Sequence, residues 1–213
     1  MISTVTNPAP EQVDRLSRIG IGMAVFGTVL APIHALARYA TEDGKSDLEL
    51  PGPSVWAEPA RNALEPILDW GSADTVYLTY GKGFVFLMAF VTLAAFAVRE
   101  RRGPVHGAEK WGWRISLPGF VLLTAACLGE YWSPWLDESF AILAIPGLLI
   151  SMIGCTVLGI ALLRRGFRPR TSAVLLAGFI PLVIGLSELI ALGAPLVALV
   201  WAFALALRHD PAA

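Results

Sequence analysis

Apolar residues fall along this chain in long unbroken blocks, separated by short charged segments, and the blocks set the elements. Crossing a bilayer takes roughly 20 apolar residues, within about 17–25. Residues 19–39, 83–98, 115–131 and 140–163 meet or approach that length. A fifth block, 171–207, is too long for one helix, since about 37 residues at 1.5 Å each would reach roughly 55 Å. Gly193-Ala194-Pro195 divides it, because glycine favours a helix end and proline cannot continue the hydrogen-bond ladder. The two pieces are 171–192 and a short 195–207. The pattern predicts an all-α, polytopic membrane helical bundle of about six transmembrane helices, the alternative being five spans with a kinked last helix. Gly147, Ser151, Cys155 and Gly159 recur every four residues, as do Gly27, Ala31 and Ala35. Small residues at this spacing predict close helix packing within the bundle.

Charge placement orients the bundle. Arginine and lysine favour the cytoplasmic side. With the N-terminus inside, the inner segments hold 12 of the 16 basic residues, among them Arg99, Arg101, Arg102, Lys110 and Arg114 in one loop and Arg164, Arg165, Arg168 and Arg170 in the next. The expected organisation is a cytoplasmic tail over 1–18, one membrane domain over 19–207 and a cytoplasmic tail over 208–213, in the plasma membrane. The polar start and long first block read as a retained span rather than a signal peptide.

The one long loop, 41–80, falls outside and is acidic. Within it, residues 54–70 place Trp56, Ala60, Ala63, Leu64 and Ile67 on one helical face. Ser54 is the expected cap, and Pro59 and Pro66 the expected early and late interruptions. Trp56 and Trp70 fit an amphipathic helix lying at the interface, either covering the bundle or acting as a lid over it. Tyr77 and Tyr80, beside Lys82, read as an interfacial anchor.

Composition adds little beyond the class. Apolar residues make up 55% of the 213 residues and charged residues 15%, with a formal net charge of −1. Mean hydropathy is +0.63. That excludes a soluble domain, a disordered chain and nucleic-acid binding by bulk charge. Cys127 and Cys155 sit in apolar runs, and no metal-ligand spacing occurs, so neither metal nor cofactor is expected. Of three histidines only His34 lies inside a span, which argues against haem.

A charged group facing lipid is expensive, so ionisable residues within spans need partners. His34 lies 16 residues past Arg18 and Glu188 18 past Arg170, or roughly 24 and 27 Å from the inner surface. Glu130 closes the third block at a similar level, and Arg38 sits one turn above His34. These four are expected to form an outward-facing polar cluster walled by Tyr131, Trp132 and Trp135. Glu130 and Glu188 are the catalytic candidates. His34, Arg38, Tyr131, Trp132 and Trp135 are the ligand-binding candidates. The competing structural account keeps His34 as a core histidine and Glu130 as a wet residue of an interfacial belt.

Four stretches, His34-Ala-Leu-Ala-Arg-Tyr-Ala-Thr-Glu-Asp-Gly44, Asp74-Thr-Val-Tyr-Leu-Thr-Tyr-Gly-Lys82, Glu109-Lys-Trp-Gly-Trp-Arg114 and Leu158-Gly-Ile-Ala-Leu-Leu-Arg-Arg-Gly-Phe-Arg-Pro-Arg170, carry a resemblance. In them the chain resembles a group of uncharacterised multi-pass membrane proteins of actinobacterial type. The resemblance implies a membrane bundle and no activity. The Ala-, Arg- and Pro-rich, Lys-poor composition fits a high-GC bacterium.

No catalytic signature is present: no Ser/His/Asp arrangement, phosphate-cradling glycine loop or H-E-x-x-H. The leading reading is a bundle that binds or moves a lipophilic or small ligand, or supports a membrane complex. Its expected partners are membrane lipids, a lipophilic small molecule or a membrane protein. The alternative is a membrane-embedded enzyme such as a protonation-initiated isoprenoid cyclase, with Glu130 or Glu188 as the acid and aromatic faces for the cation. Ion-coupled transport through Glu188 is weaker, because no internal duplication is visible.

Overall fold

The computed structural model describes residues 10–66, 72–133 and 136–208. Among them every regular element is helical. The order is α1 (Pro10–Ala40), a 3₁₀ turn (Lys45–Glu49), α2 (Pro51–Leu64), α3 (Ala73–Arg101), α4 (Gly107–Trp132), α5 (Leu136–Ser139), a π turn (Phe140–Ala144), α6 (Ile145–Arg164), α7 (Arg170–Ala177), α8 (Phe179–Leu189) and α9 (Ala194–Arg208). Trp135 lies outside the described residues, as do Ile67 and Trp70.

Arg15–Ala40, Ala73–Arg101, Gly107–Trp132 and Phe140–Arg164 are long and apolar enough to cross a membrane. They form an up-and-down helical bundle. Its outward surfaces carry large apolar side chains, including Val29 on α1, Leu93 on α3, Leu128 on α4 and Ile153 on α6. The segment expected as one span over 171–192 is instead two helices meeting at 71°. Gly178 ends α7, and Pro181, three residues on, has no N–H to offer the carbonyl of Ala177. Counted as one bent span, the pair makes a fifth.

The break expected at Gly193-Ala194-Pro195 is present, and α9 begins at Ala194. Its 15 residues reach only about 22 Å, short of a hydrocarbon core of roughly 30 Å. The segment expected as a sixth span is therefore a short apolar helix, and 12 of its 15 residues are buried. A helix that is apolar all round belongs in a core. It packs against α1, α3, α7 and α8. Phe203 meets Trp113 and Phe120 of α4. Trp201 donates its indole N–H to Thr28 Oγ1 of α1 at 3.0 Å.

The small-residue stripe of α6 packs inside the bundle. Gly147 lies against Leu122 and Leu123, Ser151 faces Gly119, and Gly154 faces Ser116 so closely that a Cβ there would stand 2.6 Å from the Ser116 nitrogen. Gly159 lies against Ala173 and Ala177 of α7. In α1, Gly27 meets Leu87 and Val197, while Ala31 and Ala35 are buried. A Thr92–Thr124 hydrogen bond of 2.9 Å clips α3 to α4.

Helix α2 starts at Pro51 rather than Ser54, with Leu50 as its cap. Proline suits this first position, because the missing N–H would have no partner there. Ser54 does not cap; its hydroxyl donates to the Pro51 carbonyl at 3.0 Å. Pro59 falls two turns in, not in the first turn. The carbonyl it orphans belongs to Val55, and both residues are exposed, so water can satisfy it. The buried face is Pro53, Ala57 and the half-buried Trp56, Ala60 and Leu64, while Ala63 is exposed. This face packs on Ala35, Leu36 and Tyr39 of α1 and on Ile190 and Ala191. Trp56 Nε1 donates to the Leu189 carbonyl at 2.8 Å, and the Tyr39 hydroxyl donates to the Ile190 carbonyl. The loop helix and the end of α1 thus each supply a donor to a carbonyl that the end of α8 leaves without an intrahelical partner.

Candidate functional site

The polar cluster assembles where α1, α3 and α4 meet at the α2 end of the bundle. His34 is only 4% exposed. Its ring stacks on Tyr77 at 4.5 Å between centroids and meets the edges of Phe84 at 5.0 Å and Tyr131 at 5.5 Å. Neither imidazole nitrogen has a hydrogen-bond partner among the described residues. The Tyr77 hydroxyl donates to Glu130 Oε1 at 3.1 Å and lies 3.4 Å from the Tyr131 hydroxyl. Glu130 is half-buried.

Local sequence explains the placement. Tyr77, Gly81 and Phe84 follow at i, i+4 and i+7 and so share one face of α3. Gly81 leaves the space that the Tyr131 ring occupies, and a Cβ there would overlap it. Glu130 and Tyr131 end α4 at the same level. Arg38 stands one turn above His34, within electrostatic reach of His34, Tyr77 and Glu130. Its Nε pairs with Asp47 Oδ2 at 2.9 Å.

Asp47 returns to Arg38 because α1 ends in a tight turn. Thr41 donates both its N–H and its hydroxyl to the Arg38 carbonyl, at 2.9 and 2.6 Å, and its Oγ1 accepts from Gly44 N at 3.1 Å. Gly44 lies directly against the Arg38 carbonyl, where no side chain fits.

His34, Arg38, Glu130 and Tyr131 therefore come together as the sequence implies. Glu188 does not join them: its side chain is exposed on the last turn of α8. Trp132 is exposed too. It packs on Phe86 from outside, with Lys82 Nζ 5.4 Å from its ring centre. It walls nothing around His34. Two members escaped the sequence reading. Tyr77 was assigned to an interfacial anchor, and Asp47 to a generally acidic loop. The i, i+4, i+7 pattern of Tyr77, Gly81 and Phe84 was the available signal.

An open apolar groove of about 160 Å³ runs along the same α1–α3 seam, walled by Phe26, Val29, Leu30 and Ile33 on one side and Thr79, Tyr80 and Gly83 on the other. Ile33 precedes His34 in sequence, and Tyr80 is one turn beyond Tyr77. The same seam thus carries an apolar trough and, one position or one turn further along each helix, a buried imidazole and phenol with a half-buried phenol and carboxyl group. Such a set can hold a hydroxyl or carbonyl. Among the described residues no three His, Cys, Asp or Glu side chains are grouped to hold a metal. Compared with protein-family models, curated proteins and solved structures, the chain matches none.

Proposed function

We propose that the protein is a multi-pass bundle of the cell membrane that binds a lipophilic molecule along the α1–α3 seam. The apolar body of the ligand lies in the groove, and its polar end meets His34, Tyr77 and Glu130. The groove on the same seam as a buried imidazole that has no hydrogen-bond partner among the described residues carries this reading, because an apolar trough and convergent polar groups are the usual elements of a small-molecule site. The arginine-rich turns face the cytoplasm, so both chain ends do as well.

Native mass spectrometry of the protein extracted from its host in mild detergent tests the reading. The expected result is a stoichiometric lipophilic adduct that Thr79→Trp removes, since this exposed position lets the indole fill the groove without disturbing the core. A wild-type protein without adduct, or an adduct unaffected by Thr79→Trp, overturns it.

A second reading rests on Glu130 standing beside Tyr77 and Tyr131. In it, Glu130 protonates a lipophilic substrate and the rings face the developing cation. The exposed Glu188 has no part in it. Turnover of such a substrate that survives Glu130→Gln would rule it out.

A further inference from the structure

The opposite end of the bundle holds a second cavity, of about 190 Å³, lined by Arg101, Arg102, Arg165, Arg168, Phe167 and Ala206. That is an order of magnitude more room than the roughly 10–15 Å³ one water needs. The walls come from three helix ends: α3 supplies Arg101 and Arg102, the turn after α6 supplies Arg165 and Arg168, and α9 supplies Ala206.

Three of the four guanidinium groups, those of Arg101, Arg102 and Arg165, are held in place. Glu109, whose side chain is fully buried, takes Arg102 in a fork at 2.9 and 3.2 Å and Arg165 at 3.1 Å. Arg165 also donates to the His106 carbonyl at 3.0 Å, and Arg101 to the Leu207 carbonyl at 3.1 Å. Arg102 lies over the Phe167 ring at 5.4 Å. Gly103 and Gly107, both at positive φ, let the α3–α4 turn fold tightly enough to bring Glu109 back to Arg102.

Charge decides what this cavity prefers. Four arginines border it, and Glu109 offsets one. The C-termini of α3, α6 and α9 converge here, each worth about −0.5 charge, while the N-termini of α4 and α7 bring about +0.5 each. These partial charges reduce the excess of three positive charges without cancelling it. Guanidinium forks match phosphate oxygens geometrically, and groups already fixed lose little freedom on binding.

We propose that this cavity binds a phosphate group, presented by the headgroup of an anionic phospholipid or by a free phosphate. The site is distinct from the α1–α3 groove and does not depend on its occupancy.

The test uses the full chain in nanodiscs of phosphatidylcholine with or without phosphatidylglycerol, released and read by native mass spectrometry, alongside titration with inorganic phosphate. Arg168→Gln is the test variant, since Arg168 is exposed and outside the Glu109 clamp. Arg114→Gln, an exposed arginine beyond the cavity, controls for surface charge. Selective retention of phosphatidylglycerol, lowered about tenfold by Arg168→Gln and unchanged by Arg114→Gln, establishes a headgroup site; the factor is that of one charge-assisted hydrogen bond. Saturable inorganic phosphate binding with the same variant pattern, and no lipid preference, establishes a free-phosphate site. Equal effects of the two variants, or neither ligand bound, overturns the proposal.

Discussion

Replacing His34 separates packing from recognition. The imidazole fills a space bounded by three rings and leaves two polar atoms without partners among the described residues, which carries a desolvation penalty of about 1–3 kcal/mol. His34→Phe keeps a flat aromatic ring, somewhat larger than imidazole, and removes the penalty. Thermal unfolding in detergent is expected to show unchanged or slightly higher stability, while retention of the lipophilic adduct falls. A destabilised variant would show instead that the nitrogens are satisfied in the folded protein. Glu109 behaves oppositely. Removing one partner of a fully buried ion pair costs about 3–5 kcal/mol, but Arg102 and Arg165 remain partly wet. Glu109→Gln is therefore expected to cost about 2 kcal/mol, read as a lowered unfolding midpoint. His34, Arg38, Glu130 and Tyr131 were legible because ionisable groups deep in apolar blocks demand partners. Tyr77 was not, because tyrosine belongs equally to an interfacial belt and to a core. Glu109 stayed hidden for a similar reason: a glutamate in a basic loop looks solvated until the turn folds it beneath two arginines.

At the scale of elements, backbone approach governs the α4–α6 seam. Gly154→Val would drive its side chain into the backbone of Ser116, and overpacking of this kind costs typically about 1–3 kcal/mol. Gly22 has open space around its Cβ position, so Gly22→Ala is expected to stabilise by about 0.5–1 kcal/mol through helix propensity. Measured together by thermal unfolding, the two should shift in opposite directions. A matching loss in both would mean that the seam is not the reason for the cost at Gly154. The sequence revealed the main helices because block length survives any packing arrangement. It misplaced the start of α2 because Ser54 offered a familiar cap while Pro51, three residues earlier, offered an equally good first position. It overlooked the α7–α8 bend, although Gly178 and Pro181 were both visible, because an uninterrupted apolar run outweighs two local breakers when only hydropathy is summed.

For the whole molecule, the charge asymmetry makes an accessibility experiment decisive. Cys127 and Cys155 are buried, so the native thiols give a quiet background. Lys45→Cys is expected to react with a membrane-impermeant maleimide in intact cells, and Lys110→Cys only after lysis; both positions are exposed. The reverse pattern would invert the bundle and place the arginine-lined cavity outside. The burial of α9 bears on how the bundle is made. Synthesis proceeds from the N-terminus at roughly 5–20 residues per second, so α1 leaves the ribosome on the order of ten seconds before Ala194 follows. For that interval the helices that α9 will join surround a vacancy where Phe203, Leu199 and Val200 will sit. The nascent bundle must either fill that gap with lipid tails or hold its helices apart. Closure, and with it the seating of Trp113 and Phe120 against Phe203, is postponed until α9 has left the ribosome.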